Sequence, residues 1–190
     1  MTGFKFLLLV VLLITFAQTE VFADGLADGS TAAQKGDFQT AFKLWKPLAD
    51  QGNAEAQFNL GVMYENGKGV TKDDMKAVKW YRMAAEQGDA SAQINLGFMY
   101  EKGKGVAEDD IEAVKWYRMA AEQGDADAQS NLGEMYMLGK GVKKSAVDAY
   151  VWFSFAAAKG DKKAKKGKAT ISKEMTPAQI DEAQKKSTVY

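Results

Sequence analysis

Residues 54–89 read AEAQFNLGVMYENGKGVTKDDMKAVKWYRMAAEQGD, and this pattern returns twice more along the chain. Residues 90–125 read ASAQINLGFMYEKGKGVAEDDIEAVKWYRMAAEQGD, and residues 126–161 read ADAQSNLGEMYMLGKGVKKSAVDAYVWFSFAAAKGD. The period is 36 residues without insertions, and the first two copies differ at only eight positions. A repeat of this length is typical of stacked arrays, in which each unit buries its apolar face against its neighbours.

Each copy contains two helical patterns separated by a glycine-rich turn. Alanine, leucine and tyrosine recur at i, i+4 and i+8 in the first half, which predicts a helix over about 54–64 in the first copy. Paired glycines such as Gly67 and Gly69 end that helix and permit positive φ angles. The second helix follows a residue that favours the N-cap position, and an acidic residue at N3 suits the helix dipole, with Glu112 expected to complete a capping box. The N-caps are Asp73, Asp109 and Ser145, and the acidic N3 residues are Glu112 and Asp148.

Two recurrent residues predict how the helices pack. A tryptophan returns on the alanine-rich face of each second helix, where it supplies a large buried area. A glycine returns in the middle of each first helix, although glycine there costs about 1 kcal/mol relative to alanine. Its presence in every copy predicts that another helix packs tightly at that point. The tryptophans are Trp80, Trp116 and Trp152, and the glycines are Gly61, Gly97 and Gly133.

Four motif elements carry a resemblance to a known family. They are A-x-A-Q-x-N-L-G-x-M-Y, G-K-G-V, A-x-x-W-[YF] and A-A-x-x-G-D, and they recur in register at the 36-residue period. This pattern resembles the Sel-1-like repeat family, a branch of the tetratricopeptide-like solenoids, over residues 54–161 fully and 36–53 partially. The resemblance implies an all-α fold, a right-handed α-solenoid of stacked antiparallel helix pairs. It also implies an adaptor that gathers protein or peptide partners.

A stripe of variable positions on the first helices is the candidate binding site. Positions 55, 58, 62 and 65 are spaced by three, four and three residues, so they share one helix face beside the buried one. Residues that stacking requires stay the same between copies, whereas these differ, which predicts that they face outward. We call them, with the flanking asparagines, the outer stripe. Its predicted partner-binding residues are Glu55, Phe58, Asn59, Val62, Ser91, Ile94, Asn95, Phe98, Asp127, Asn131 and Glu134, and the same spacing adds Glu65, Glu101, Ser130 and Met137.

The resemblance places the outer stripe along the concave groove of the solenoid. Phe58, Val62, Ile94 and Phe98 then make one end of that groove apolar, and exposed apolar area of this kind marks partner sites. The flanking asparagines have two interpretations, a clamp on a peptide backbone or hydrogen bonds to the neighbouring helix.

Both ends of the array depart from the repeat pattern, as terminal units do when one face has no neighbour. Residues 24–53 read as a degenerate repeat with a short helix over 30–35, because Trp45 falls in register with Tyr81 of the first copy. Residues 162–190 read as two capping helices. The second begins at Thr176, followed by Pro177 and by glutamine at N3.

The first 23 residues are predicted to be a signal peptide. Lys5 precedes an apolar run over 6–16, and Val21 and Ala23 stand at the −3 and −1 positions of a cleavage site before Asp24. The run is shorter than the about 20 residues that span a bilayer, and the alternative is an uncleaved N-terminal anchor. The sequence therefore predicts an exported protein without a stable membrane span after cleavage. The family's habit favours the periplasm, with extracellular release as the alternative.

Composition excludes several kinds of chemistry. The 190-residue chain has no Cys and no His, which excludes disulfides, Ser-His-Asp triads, Cys-His pairs and His-ligated zinc. Its net charge of zero argues against nucleic-acid binding. Residues 159–190, here called the Lys-rich end, hold nine Lys against four acidic residues. Within it, the stretch from Lys162 to Lys168 has two interpretations, a contact with an anionic surface or a solvated cap. We therefore expect no catalytic residue, metal or cofactor.

Three motifs have a catalytic or ligand-binding interpretation that is weaker than the structural one. The Gly67-Lys68-Gly69 loops lack the spacing of a phosphate loop and are interpreted as turns between helices. The paired aspartates that begin at Asp73 and Asp109 are interpreted as helix caps rather than a cation site. Ser145, although beside two lysines, occupies an N-cap position.

The alternative function is a cell-wall-associated ligand binder or hydrolase. Some secreted members of the resembled family carry paired cysteines and have been linked to penicillin binding and β-lactamase-like activity. This chain lacks the cysteines that mark that branch. The sequence therefore favours a protein-interaction scaffold.

Overall fold

A computed structural model describes residues 25–188, and within that range the chain forms helices joined by turns, without strands. It divides into two compact units, with the boundary between Trp80 and Tyr81 inside the fourth helix. Among the described residues the helices are α1 (25–34), α2 (Phe38–Asp50), α3 (Ala54–Asn66), α4 (Asp74–Glu86), α5 (Ala90–Lys102), α6 (Asp110–Glu122), α7 (Ala126–Leu138), α8 (Ala146–Ala158), α9 (Lys162–Ser172) and α10 (Pro177–Lys186).

The first helix of each repeat is bounded by an N-cap side chain and a left-handed glycine. The Asn53 side chain accepts from the backbone N–H of Ala56 at 2.9 Å, and Gly67 ends α3 at φ 66°. Asp89 and Asp125 cap α5 and α7 in the same way. The predicted helix over 54–64 is confirmed and continues for two more residues, because the next residue that leaves the helical conformation is the glycine.

The second helices begin where the capping residues predict. The side chain of Asp73 accepts from the Lys76 N–H at 3.0 Å, and Asp109 and Ser145 cap α6 and α8. The predicted capping box at Glu112 is wrong. Its carboxylate accepts instead from Lys115 and, at 3.1 Å, from the indole N–H of Trp116, since these groups lie three and four residues ahead on the same helix face.

In the second unit, residues 81–188, the predicted tight packing at the mid-helix glycines is confirmed. A Cβ added at Gly97 would lie 2.8 Å from the ring of Tyr117, and one at Gly133 would lie 2.7 Å from the ring of Phe153. Both rings are almost completely buried. The tryptophans predicted to be core are also buried, with Trp116 and Trp152 at 6% and 4% exposure.

Neighbouring helices of the second unit pack as successive pairs, α5 with α6, α6 with α7, α7 with α8 and α8 with α9. Polar contacts repeat along this array. Arg82 donates to the hydroxyl of Tyr100 at 2.5 Å, and 36 residues later Arg118 donates to the hydroxyl of Tyr136 at 2.6 Å. Two of the second helices, α4 and α6, are thus each tied to the first helix of the following repeat.

The first unit, described over residues 25–80, includes α1. This helix is described from residue 25, five residues before the predicted 30–35 segment. It packs inside the unit, because the indole N–H of Trp45 donates to the carbonyl of Leu26 at 3.3 Å and Gly29 packs against the same ring. Trp45 is 6% exposed, as its register with the core aromatic position predicts.

The C-terminal helices close the second unit. Ala164 and Ile171 of α9 are buried, whereas the lysines around them are mostly exposed, so one side of α9 faces the core and the other faces solvent. Thr176 and Gln179 form the predicted capping box at the start of α10, with the Gln179 N–H donating to the Thr176 hydroxyl at 3.3 Å. Ala183 then packs α10 into the core cluster that α8 and α9 form.

Across residues 25–188, none of the helices combines the length and apolar character required to cross a bilayer. The predicted signal peptide over residues 1–23 lies outside the described residues, as does the cleavage site at Asp24.

Candidate functional site

The outer stripe of the first unit lies on α3. Glu55 is exposed, and Phe58, Asn59 and Val62 are half-buried. None of these four predicted residues is enclosed in the core, whereas Ala56 and Leu60 between them have no exposed area. The alternation of buried and accessible positions along α3 agrees with the helix face that the spacing predicts.

On α5, Phe98 is the exposed apolar residue of the outer stripe. Phe98 is 36% exposed, and the ammonium groups of Lys102 and Lys104 lie 5.9 and 4.9 Å from its ring centre. Ile94 is half-buried and packs against the core cluster of α6 and α7, so it belongs in part to the interior. Ser91 is exposed, and Asn95 is half-buried.

On α7 one position departs from the prediction. The spacing predicts that Ser130 faces outward with Phe58 and Ile94, but it is only 2% exposed. Its short side chain does not extend to the surface as the larger residues do, and its hydroxyl has no hydrogen-bond partner among the described residues. The other predicted residues of α7 remain accessible, Asp127 exposed and both Asn131 and Glu134 half-buried.

A recess of about 240 Å³ lies between α7 and α9, beside the outer stripe. The ring of Phe153 forms its floor, and Gly133 of α7 and Gly167 of α9 both pack against that ring. The remaining lining residues are Glu134, Met137, Lys163, Lys166 and Thr170.

Sequence reasoning missed the α9 side of this recess. Lys163, Lys166 and Thr170 stand 36 residues after Asp127, Ser130 and Glu134, so the repeat period alone points to them. The signal is easily overlooked because these positions vary between the full copies and the repeat pattern decays after residue 161.

An ion pair closes one rim of the recess. The ammonium group of Lys163 lies 2.5 Å from a carboxylate oxygen of Glu134 and donates to the side-chain oxygen of Asn131 at 3.1 Å. Asn131 therefore makes a hydrogen bond to the neighbouring helix, the second of the two roles considered for the asparagines. Both charged side chains of the pair are about half exposed, at 54% and 40%, which keeps the pair weak. Lys166, on the same recess, is exposed.

The carboxylate of Glu101 couples the stripe to the core. It accepts from the buried hydroxyl of Tyr117 at 2.9 Å and pairs with Lys102 at 2.5 Å. Burial alone would raise the pKa of Glu101, but the hydrogen bonds from Lys102 and Tyr117 outweigh burial and place that pKa below its ordinary value. Burial, followed by the nearby Glu101 carboxylate, raises the pKa of Tyr117 far above that of a free tyrosine.

The motifs with a possible ligand-binding role have structural roles in the described chain. Gly67 and Gly69 adopt positive φ angles in a turn, as do the glycines of the two later loops. Ser145 accepts from the Asp148 N–H at 3.2 Å as the N-cap of α8. Among residues 25–188, no three acidic side chains come together in a way that would hold a metal ion.

Comparison with protein families shows where the repeats match. The family described as Sel1 repeat matches four consecutive segments, residues 22–53, 54–89, 90–125 and 126–161. These segments together span more than half of the chain.

Solved structures give the same result. A Sel1 repeat protein from Oxalobacter formigenes is 38% identical, with a TM-score of 0.74 over 78% of this chain and 63% of that one. A protective antigen with an SLR fold from uropathogenic Escherichia coli is also 38% identical, with a TM-score of 0.72 over 78% of this chain and 33% of the antigen. Cysteine-rich protein B of Helicobacter pylori is 23% identical, with a TM-score of 0.51 over 72% of this chain and 92% of that one, a likeness in fold.

Among curated proteins, the chain is similar to DAP3-binding cell death enhancer 1 of Rattus norvegicus and of Mus musculus. The identities are 38% and 36%, each over 50 residues. That segment is 26% of this chain and 10% of either relative, so the chain spans about a tenth of the length of the curated relatives it matches.

Proposed function

Because the chain belongs to the Sel1 repeat family, whose fold generally mediates protein–protein interaction, we propose that it is an exported scaffold that binds a protein partner through its outer stripe. The observation that carries the proposal is the recess of about 240 Å³ between α7 and α9. It continues the stripe of α7 and has an aromatic floor with a charged rim. Interfaces are commonly organised in this way, with an apolar anchor at the centre and polar groups around it.

The chemistry of the recess suits an apolar side chain next to an acidic one. Met137 is half-buried and, with the nearly buried Phe153 ring behind it, provides apolar contact for an anchor residue of the partner. Lys166 is exposed at the edge, where it is placed to attract a carboxylate. On α5, the Phe98 ring with two lysines beside it repeats the combination of apolar surface and positive charge.

Proteins built from Sel1 repeats are typically non-catalytic scaffolds, and we propose the same role here. The lining of the recess supports this proposal, since Glu134 is paired with Lys163 and no histidine or cysteine is present in the chain to act as a general base or nucleophile.

Export is part of the proposal and is supported by the sequence of residues 1–23. It is tested by expressing the full chain, separating cytoplasm, periplasm and medium, and sequencing the N-terminus of the recovered protein. We expect a periplasmic protein that begins at Asp24. A chain that keeps Met1 and stays in the cytoplasm would contradict export, and one that keeps Met1 in the membrane fraction would support the anchor.

Partner binding is tested by site-specific photo-crosslinking in cells. A benzophenone amino acid is placed at Phe98 or Met137 of the outer stripe, and at Ile111 as the matched control. Ile111 is 70% exposed but lies on α6, a second helix. We expect a cross-linked protein from the two stripe positions and none from Ile111.

Two charge-introducing variants then distinguish specific binding at the outer stripe from non-specific binding. Phe98→Asp is expected to abolish the cross-link at Met137, whereas Ile111→Asp is expected to leave it unchanged, with circular dichroism confirming that both fold. Equal cross-linking in both variants would place the partner elsewhere. A cross-link that is lost in moderate salt would show that exposed charges such as Lys166 contribute to binding, because exposed charges are screened beyond about 10 Å at 0.1 M salt.

A further inference from the structure

A second cavity, of about 350 Å³, lies where the end of α6, the start of α7 and the middle of α8 meet. It shares no lining residue with the outer stripe, and we call it the amide slot. It is much larger than the about 30 Å³ that one water molecule occupies in the liquid. Its lining residues are Ala121, Glu122, Gly124, Gln129, Trp152 and Phe155.

Gln129 lines the amide slot, and only the nitrogen of its side-chain amide has a hydrogen-bond partner in the described part of the chain. It is 5% exposed, and its amide N–H donates to the carbonyl of Ala121 at 3.0 Å. That bond fixes the orientation of the amide, so its oxygen is the free atom. The oxygen is buried and has no hydrogen-bond partner among the described residues, a costly state for a polar atom.

In the preceding repeat, the equivalent side-chain oxygen has a hydrogen-bond donor. Gln93, 36 residues earlier, donates in the same way to the carbonyl of Ala85 at 3.1 Å. There the side-chain oxygen accepts a hydrogen bond from the amide of Gln123 at 2.8 Å. A carboxamide N–H from the chain itself therefore fills the equivalent position.

The third repeat lacks that internal donor. Lys159 stands 36 residues after Gln123, and its ammonium group donates to the carbonyl of Gly124 instead of to Gln129. The aromatic side of the amide slot differs too, because Phe155 replaces Met119 of the preceding repeat and packs edge-on against Trp152 with ring centres 5.9 Å apart.

Charge narrows the choice of ligand. Glu122 on one wall disfavours an anion, and the ammonium group of Lys159 at Gly124 disfavours a cation. A neutral group that donates a hydrogen bond and can lie against aromatic rings meets both conditions. We propose that the amide slot binds the side-chain carboxamide of a glutamine or asparagine that a partner protein presents, in the place that Gln123 takes one repeat earlier.

This inference rests on the proposed function in one respect, that the carboxamide belongs to a partner protein. A small-molecule probe tests binding to the amide slot independently of that assumption. The full chain is expressed with ¹⁵N labelling and purified in the form that the cells produce. This protein is titrated with N-acetyl-glutamine methylamide. The readouts are the side-chain amide signals of Gln129 and the indole signal of Trp152. The matched probes are the corresponding glutamate and norleucine derivatives, which keep the two backbone amides but lack the side-chain carboxamide N–H.

We expect saturable shifts of both signals with the glutamine probe and binding about tenfold weaker with the other two. Lys159→Gln restores the internal donor, so it is expected to weaken probe binding by about tenfold, whereas Lys162→Gln, the same change at an exposed lysine of α9, is expected to leave it unchanged. The reciprocal change Gln123→Lys is expected to create a second site at Gln93.

Three results would overturn the inference. The glutamine probe could leave Gln129 and Trp152 unshifted, which means that solvent alone satisfies the oxygen. The norleucine probe could bind equally well, which would make the slot an apolar cavity. The Lys159→Gln variant, shown by its amide spectrum to be folded, could bind the probe as tightly as the parent does. None of these results bears on cross-linking at the outer stripe, so failure of the amide slot remains distinct from failure of the proposed function.

Discussion

The hydroxyl of Tyr117 donates to the carboxylate of Glu101 at 2.9 Å, joining α6 to α5, and both partners change together in the next repeat. There, 36 residues on, phenylalanine stands at position 153 and methionine at position 137. A polar pair in one repeat thus gives way to an apolar pair in the next, and the apolar pair lines the recess. The exchange replaces a hydrogen-bonded contact with apolar side chains at the place where we propose that a partner's side chain binds.

A double-mutant cycle tests whether this pair acts as a unit. Tyr117→Phe and Glu101→Met are each expected to lower the free energy of unfolding by about 1 kcal/mol, because each breaks the same hydrogen bond. The double variant reproduces the natural pair of the next repeat and should cost less than the sum. Urea unfolding followed by circular dichroism measures all three values, and strict additivity would show that the residues are independent.

Acid stability should depend on Glu101. Because the pKa of Glu101 is lower in the folded protein, its ionised form stabilises the fold above the ordinary carboxyl pKa of about 4, and this contribution is lost as pH falls towards the lowered value. Glu101→Gln should therefore show a shallower loss of stability between about pH 5 and pH 3 than the parent. Glu108→Gln, at an exposed turn position, serves as the control. Parallel acid profiles for parent and Glu101→Gln would contradict the assignment.

The glycine in the middle of α7 is expected to resist substitution. A Cβ at position 133 would lie 2.7 Å from the ring of Phe153, so Gly133→Ala should cost about 1–3 kcal/mol despite alanine's better helix propensity. Combining it with Phe153→Leu removes the ring, and the double variant should be less destabilised than the two single costs predict. Thermal unfolding of the four proteins measures this coupling. A neutral Gly133→Ala variant would show that the helices separate easily.

Two turn glycines with positive φ should differ in their tolerance to alanine. At Gly160, where φ is 96°, a Cβ would meet no atom of the described residues within 4 Å, so alanine there costs only the strained backbone conformation, about 1 kcal/mol. Gly141, at φ 64°, would press a Cβ into the backbone of Asp110. Gly141→Ala is therefore expected to cost about 1–3 kcal/mol more than Gly160→Ala. Equal losses in urea unfolding would mean that the turn can move away from α6.

Within the three full repeats, the sequence by itself determined the helices and the residues that cap them. Asp109 begins α6 and Gly103 ends α5 because capping and left-handed conformations depend on the residue itself and a few neighbours. The 36-residue period also identified Trp116 as core, since every copy buries the same face. These features are local or repeated, so one chain is enough to recognise them.

Only the tertiary structure decided how individual side chains meet between helices. Ser130 is buried, Glu112 bonds to Trp116 rather than capping its helix, and Lys159 turns to Gly124 and leaves Gln129 without its donor. Such choices depend on side-chain length and on which atoms of a neighbouring helix lie within about 3 Å, the reach of a hydrogen bond. A repeat period specifies that positions are equivalent in the backbone, but a substitution at one of them changes which contacts can form, and only the packed helices show the result.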